Sequence, residues 1–227
     1  MPRGKQSKAK CTYCGQQFIK NRMTTHLSSC SQRQQTLAIA ERNNVRTEKL
    51  YYLRVQDAST SSFWLDLEVN GSATLREIDS YLRAIWLECC GHMSRFSVGG
   101  WGEDEINMRR RVQEVFNPGV ELTHIYDFGT SSETRVKAIE VRDGKPTTRH
   151  PVALMARNEM PELRCEECSE PAARLCNECM YEEERAGTLC ERHAKTHPHE
   201  SYGELLPIVN SPRVGMCGYE GPAEPPY

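Results

Sequence analysis

Short pairs of metal-ligating residues restrict this chain's fold more than any other feature of its sequence. Cys165-x2-Cys168, Cys176-x2-Cys179 and Cys190-x2-His193 follow one another closely, with His197 and His199 just behind. A C-x2-C pair lets one tight turn aim two thiolates at a single ion. Eight such ligands suit two tetrahedral zinc ions, and a segment this poor in apolar residues needs staples of that kind to fold. The chain has eleven cysteines, an odd number, which argues against a fully paired disulfide framework. The first residues, MPRGKQSKAK, carry no apolar run of the secretory type. The expected compartment is therefore the reducing cytoplasm, where thiols bind metal more often than one another. No stretch approaches 18 consecutive apolar residues, so no membrane span and no membrane partner are expected.

A second ligand set stands near the start. Cys11 and Cys14 form another C-x2-C pair, followed by His26 and, four positions on, Cys30. His26 and Cys30 at i and i+4 share one helix face. Phe18 and Met23 stand where a ββα finger packs its small core. This segment resembles the Cys-Cys-His-Cys variant of the C2H2-type zinc finger, one residue short in its central gap. The tail resembles a B-box-type cross-brace. That likeness implies one ion shared by Cys165, Cys168, Cys190 and His193, and another by Cys176, Cys179, His197 and His199. A sequential pairing, with the first four tail cysteines on one ion, is the rival. Cys217 is a further alternative ligand, displacing one histidine. About three zinc ions per chain are expected.

Charge is segregated as well. Residues 1–49 hold ten Lys/Arg against two Asp/Glu, residues 50–163 hold 13 against 17, and residues 164–227 hold 6 against 12. The formal charge of −2 therefore hides a head of +8 on a body of −10. Arg3, Lys5, Lys8, Lys10, Lys20, Arg22 and Arg33 are the candidate phosphate contacts, giving salt-dependent affinity for DNA or RNA. A single finger reads only about three base pairs, so sequence-specific binding by the head alone is not expected. SQRQQTLAIAERNN then reads as an extension of the finger's helix or a tether. The organisation expected is a basic arm and finger over 1–34, a linker over 35–49, a central domain over 50–160 and a zinc-binding tail over 161–227.

The central segment reads as α+β. Residues 51–58 and 63–69 are aromatic and branched runs of strand type. Thr74 and Glu77 form a capping box. Leu75, Ile78, Leu82, Ile85, Trp86 and Cys89 then recur at helical spacing as one buried face, and Gly91 ends the helix. Further strands are read within 92–100, 120–129, 133–144 and 148–157, with a polar loop over 103–111 and a turn at DFGTSS. The expected fold is a central mixed sheet with one packed helix, grasp-like, flanked by two small zinc-stabilised modules. Tyr52-Leu53-Arg54-Val55, Trp64, the 75–86 helix, His92-Met-Ser-Arg-Phe96 and Tyr126-Asp127-Phe128-Gly129 resemble the plasmid pRiA4b ORF-3-like family, including insertion-element passenger proteins. The likeness covers about residues 50–157. It implies association with a mobile element and no assigned activity.

Catalysis finds little support in the residues. Soft ligands suffice to close every metal site, whereas catalytic zinc keeps an open position. The glutamates at 166, 167, 178 and 182–184 read as a solvated acidic face. The YDFG string lacks the companion motifs of a kinase, and Asp127 reads as the organiser of a turn. Cys89 reads as a buried helix residue, with Cys90 at the helix end. Trp64, His92, Arg95 and Asp127 are candidates for a binding cleft. Residues 205–219 are expected to dock as a strand, with 221–227 frayed. The leading reading is a non-enzymatic multi-zinc adaptor that contacts nucleic acid through its head. The alternatives are a protein–protein interaction module and an enzyme or small-ligand binder using the central cleft.

Overall fold

Strands whose alternate residues are apolar bury one face and leave the other to a different partner. In the computed structural model, which describes residues 7–199 and 201–227, this alternation builds a nine-stranded sheet with both faces occupied. Its strands are β1 (Lys8–Cys11), β2 (Gln17–Ile19), β3 (Glu48–Asp57), β4 (Trp64–Asn70), β5 (Ser94–Ser97), β6 (Glu105–Ile106), β7 (Glu121–Tyr126), β8 (Ser132–Gly144) and β9 (Val152–Asn158). They lie in the order β2-β1-β9-β4-β3-β8-β7-β5-β6. Every pairing is antiparallel, where a mixed sheet was expected. The reason is topological. The helix after β4 carries the chain to the far side of the sheet, so it never returns beside the strand it left, as a parallel crossover requires.

The helices of the head are α1 (Lys20–Ser29) and α2 (Ser31–Ala40), so much of the segment read as a tether is helical. The central helix α3 (Leu75–Leu82) starts at its capping box, with the Thr74 backbone N–H donating to the Glu77 carboxylate at 2.7 Å. It continues as a π-helical turn over Arg83–Leu87. The wider turn buries three consecutive side chains, Ile85, Trp86 and Leu87. Together with Leu75, Ile78 and Leu82 they pack on Leu53, Val55, Leu65 and Leu67, forming the main core of the α+β fold. A short helix, α4 (Val112–Val115), adds Val112 to that core.

The opposite face of β3 and β4 carries Tyr52, Trp64, Asp66 and Glu68, and the head covers it. Met23 and Leu27 of α1 pack with Tyr52, Trp64, Met155 and Ala156. The finger is thus built into the sheet: Ala9 pairs with Phe18 of its own hairpin and with Asn158 of β9. Between finger and sheet lies a buried ion pair, with Arg54 Nε 2.8 Å from Asp66 Oδ1 and its Nη2 2.9 Å from Oδ2.

The tail adds a small sheet of β10 (Arg174–Leu175), β11 (Thr188–Leu189) and β12 (Leu206–Pro207), with helices α5 (Asn177–Tyr181) and α6 (Glu191–Ala194). Only Leu206–Pro207 of the expected 205–219 strand pairs. The rest runs irregularly back over the central domain, where Arg157 Nη2 donates to Asn210 O and Ala223 O at 2.7 and 2.6 Å. The last residues are held rather than frayed, for Tyr227 stacks on His150 at 3.8 Å. Among the described residues no helix is long and apolar enough to cross a membrane.

Candidate metal centres

Zinc bonds of about 2.3 Å to sulfur and 2.0–2.1 Å to nitrogen set tetrahedral edges of about 3.8 Å between sulfurs and about 3.6 Å between sulfur and nitrogen. Among the described residues, four clusters of four ligands approach that geometry, each with its donor atoms within 4.8 Å of one another. Four Cys/His clusters can therefore hold metal ions, and their donor sets are compatible with zinc.

In the head, Cys11 ends β1 and Cys14 sits in the following turn, where Gly15 takes a positive φ of 74° and donates to Cys11 O at 2.9 Å. A left-handed residue at the end of a knuckle favours glycine. Helix α1 brings His26 Nε2 to 3.2 Å from Cys14 Sγ, and Phe18 stacks on the His26 ring at 4.2 Å. Cys30, between α1 and α2, completes the set. Burial, with Cys14 beside it, pushes the Cys11 thiol up to about 11, so a cation that takes thiolates directly is what would deprotonate it.

The tail brings together the crossed sets rather than the sequential ones. Cys165, Cys168, Cys190 and His193 form one cluster, with Cys168 and Cys190 sulfurs 3.8 Å apart and His193 Nδ1 3.3 Å from Cys165 Sγ. Cys176, Cys179, His197 and His199 form the other, with Cys179 Sγ 3.4 Å from His197 Nε2 and 3.2 Å from His199 Nδ1. The spatial cause is the β10–β11 pairing, which folds the second C-x2-C pair away from the first and lays Cys190 beside Cys168.

The glutamates around these clusters are not a plain solvated face. The far nitrogen of His199, Nε2, lies 3.3 Å from Glu183 Oε1, the arrangement that fixes a ligating histidine's ring and raises its basicity. Arg185 in turn ties Glu183 to Glu166 and Glu167. Glu183→Gln is expected to weaken this site's zinc affinity by about 10–100-fold, measured by competition with a chromophoric chelator; unchanged affinity would reduce the contact to surface charge.

The fourth cluster was not anticipated. Cys89, Cys90 and His92, at the turn after α3, meet Cys217. Cys217 is therefore no tail ligand, because the C-terminal segment carries it back to the central domain. Cys89 is half-buried at this cluster instead of sealed in the helix face. The available signal was the remainder: once the other ligands are assigned, three cysteines and a C-C-x-H string stay over.

The expected cleft does not form as one site. His92 Nε2 and Asp127 Oδ2 come within 3.4 Å. Trp64 is fully buried on β4, three strands from β7, and Arg95 reaches the Glu103 carbonyl and stands over Trp101. Strand alternation and sheet order separate residues that motif strings place close together. Asp127 does organise the 127–130 turn, accepting from the backbone N–H of Gly129 at 2.9 Å and of Thr130 at 3.2 Å.

The basic candidates divide similarly. Lys8, Lys10 and Arg22 are exposed. Arg33 is turned inward, 3.3 Å from Glu68 Oε2 and donating to Leu27 O at 3.0 Å, and Lys20 bonds Gln56. Arg142 also meets Glu68, at 2.9 and 3.1 Å, so Arg33 joins a buried Arg–Glu–Arg cluster under α2 and is withdrawn from the surface. Arg3 and Lys5 lie outside the described residues.

No family model and no curated protein matches this chain. Among solved structures, a protein of unknown function from Methanosarcina mazei Go1, MM3350, is similar over 48% of this chain and 69% of its own, with 17% identity and a TM-score of 0.41. That likeness is too distant to carry an argument.

Proposed function

We propose that this chain is a zinc-scaffolded, non-enzymatic binding protein whose head contacts nucleic acid. The observation that carries this reading is the exposure of Lys8, Lys10 and Arg22 on the finger while its hydrophobic side is sealed against the sheet. Lys8 and Lys10 alternate with buried Ala9 and Cys11, so they leave β1 on one side. The finger, docked on the sheet, holds these cations at the surface. Backbone contact of this kind is electrostatic and carries no sequence code. The pRiA4b ORF-3-like resemblance supports a role in the handling of a mobile element.

The test is binding of a short DNA duplex as a function of salt. The wild-type chain is expected to bind at low salt and to lose affinity steeply as salt rises. Lys8→Ala/Lys10→Ala/Arg22→Ala should reduce the slope of log K against log salt by about 3. An unchanged slope, or no binding at low salt, would refute the reading.

A second reading has its own observation. Met93, Trp101 and Phe128 are exposed, at 68%, 43% and 40%, and the Trp101 and Phe128 rings meet edge-on at 5.0 Å. The Asp127 backbone N–H donates to Met93 O at 2.9 Å, which keeps Met93 beside them. An exposed apolar group of this kind marks a protein-contact surface. Failure of nucleic-acid binding would make it the leading surface.

A further inference from the structure

The cluster at Cys89, Cys90, His92 and Cys217 differs from the other three in provenance and exposure. Its ligands come from chain segments some 125 residues apart, and two of them, Cys90 and Cys217, are exposed. Among the described residues, no other cluster spans the central domain and the C-terminal segment.

Its geometry is that of a cation site. Cys90 Sγ lies 3.8 Å from Cys89 Sγ and 3.6 Å from Cys217 Sγ, against a tetrahedral zinc edge of about 3.8 Å. His92 Nε2 lies 3.0 Å from Cys90 Sγ and 3.5 Å from Cys217 Sγ, against about 3.6 Å. The backbone is bent to present these atoms. Gly91 takes φ 79° between Cys90 and His92, and Cys217 takes φ 52°, a left-handed conformation that a non-glycine residue adopts only when its surroundings demand it.

The surrounding charge is of both signs, because Asp127 Oδ2 lies 3.4 Å from His92 Nε2 and pairs with Arg213. Three thiolates and a neutral imidazole around a divalent ion leave a net charge of −1 on the centre. Arg213, fully buried, stands against it with Nη2 3.4 Å from Cys89 Sγ and 2.6 Å from Asp127 Oδ2. A disulfide is the rival use of these thiols. The Cys90–Cys217 sulfurs would have to close from 3.6 Å to about 2.05 Å, and His92 would lose its place in the set. Convergence of four soft donors, one of them an imidazole, favours a metal.

We propose that Cys89, Cys90, His92 and Cys217 bind a zinc ion, forming a fourth site that clasps the C-terminal segment to the central domain and releases its metal before the other three. Loading exchanges the thiol protons for the cation and needs no oxidant. The clasp acts on the segment around Ser211 and Arg213, whose hydroxyl and guanidinium reach Trp86 O at 2.6 Å and Thr130 O at 3.0 Å. It does not depend on the nucleic-acid reading.

The test uses the full chain, purified under reducing conditions with zinc supplied. Elemental analysis should give four zinc ions in the wild type and three in Cys217→Ser, with unchanged circular dichroism. In the wild type, mild chelation should expose Cys90 and Cys217 to alkylation, read by mass spectrometry, while Cys11, Cys165 and Cys179 stay protected. If Cys217→Ser proves insoluble, Cys90→Ser and the wild-type count carry the same test. A wild-type count of three that Cys217→Ser leaves unchanged would overturn the proposal. So would a Cys90–Cys217 disulfide in the reduced preparation, or simultaneous exposure of all the cysteines.

Discussion

Cys179→Ser is expected to unfold the tail while leaving the central sheet intact. The apolar cluster of the tail consists of Cys176, Cys179 and Leu189, with Ala194 and Leu205 partly packed against it. That is far less apolar surface than a free-standing module needs. Two of its three central members are themselves ligands, so the metal site and the core are nearly the same object. Structural zinc contributes about 10–16 kcal/mol to the folding of comparably small zinc-finger peptides. Burial, with Cys176 beside it, pushes the Cys179 thiol up to about 12, so without a cation it is a neutral thiol, only a weak hydrogen-bond partner for His197 and His199. The measurement is amide hydrogen exchange. Residues 165–199 should lose protection in the variant, and in the chelated wild type, while β3, β4 and β8 keep theirs. Retained protection of the tail in both would show that its side chains alone hold it.

Arg54→Met is expected to cost about 3–5 kcal/mol, because it strands Asp66 under the finger. Asp66 is fully buried, and Arg54 meets both of its carboxylate oxygens. Burial raises the Asp66 carboxyl and Arg54 pulls it back down. Removing the arginine leaves burial opposed only by the weaker effects of Tyr52 and Lys20, so the variant's native state holds a proton that the unfolded chain releases. A native pKa raised above the unfolded value gives stability that is lost as pH rises. The deficit of the variant should therefore be larger at pH 6 than at pH 4, near the unfolded carboxylate value, read as urea midpoints beside the wild type. A deficit near zero at both values would mean that water reaches Asp66.

Local signals made much of this fold readable in advance. The capping box at Thr74, the helical spacing of Leu75 to Trp86 and the alternation along 51–58 each depend on neighbours a few residues away. The three conventional ligand sets are of the same kind, because a C-x2-C knuckle is built by one turn. What escaped is long-range. Nothing near Ala9 announces that β1 will pair with Asn158, and nothing near Cys217 points to Cys90. Arg33 reads as a surface cation until Glu68, on another strand, is placed beneath it. The cleft assembled from Trp64, His92, Arg95 and Asp127 failed for the same long-range reason: His92 and Asp127 meet, but the sheet order sets Trp64 three strands away.

The seam between β1 and β9 also sets a timetable for synthesis. The finger's ligands are all made within the first 30 residues, so the head can take up its ion early. Its partner strand ends at Asn158. At about 5–20 residues per second, the head waits roughly 6–26 s on the ribosome for the edge it completes. Until β9 is made, the underside of α1, with Met23 and Leu27, has only Tyr52 and Trp64 of β3 and β4 to meet and lacks Met155 and Ala156. The nascent chain thus carries an exposed apolar face beside its strongest positive charge, and a chaperone or a polyanion meeting it then would meet a surface that the finished protein hides.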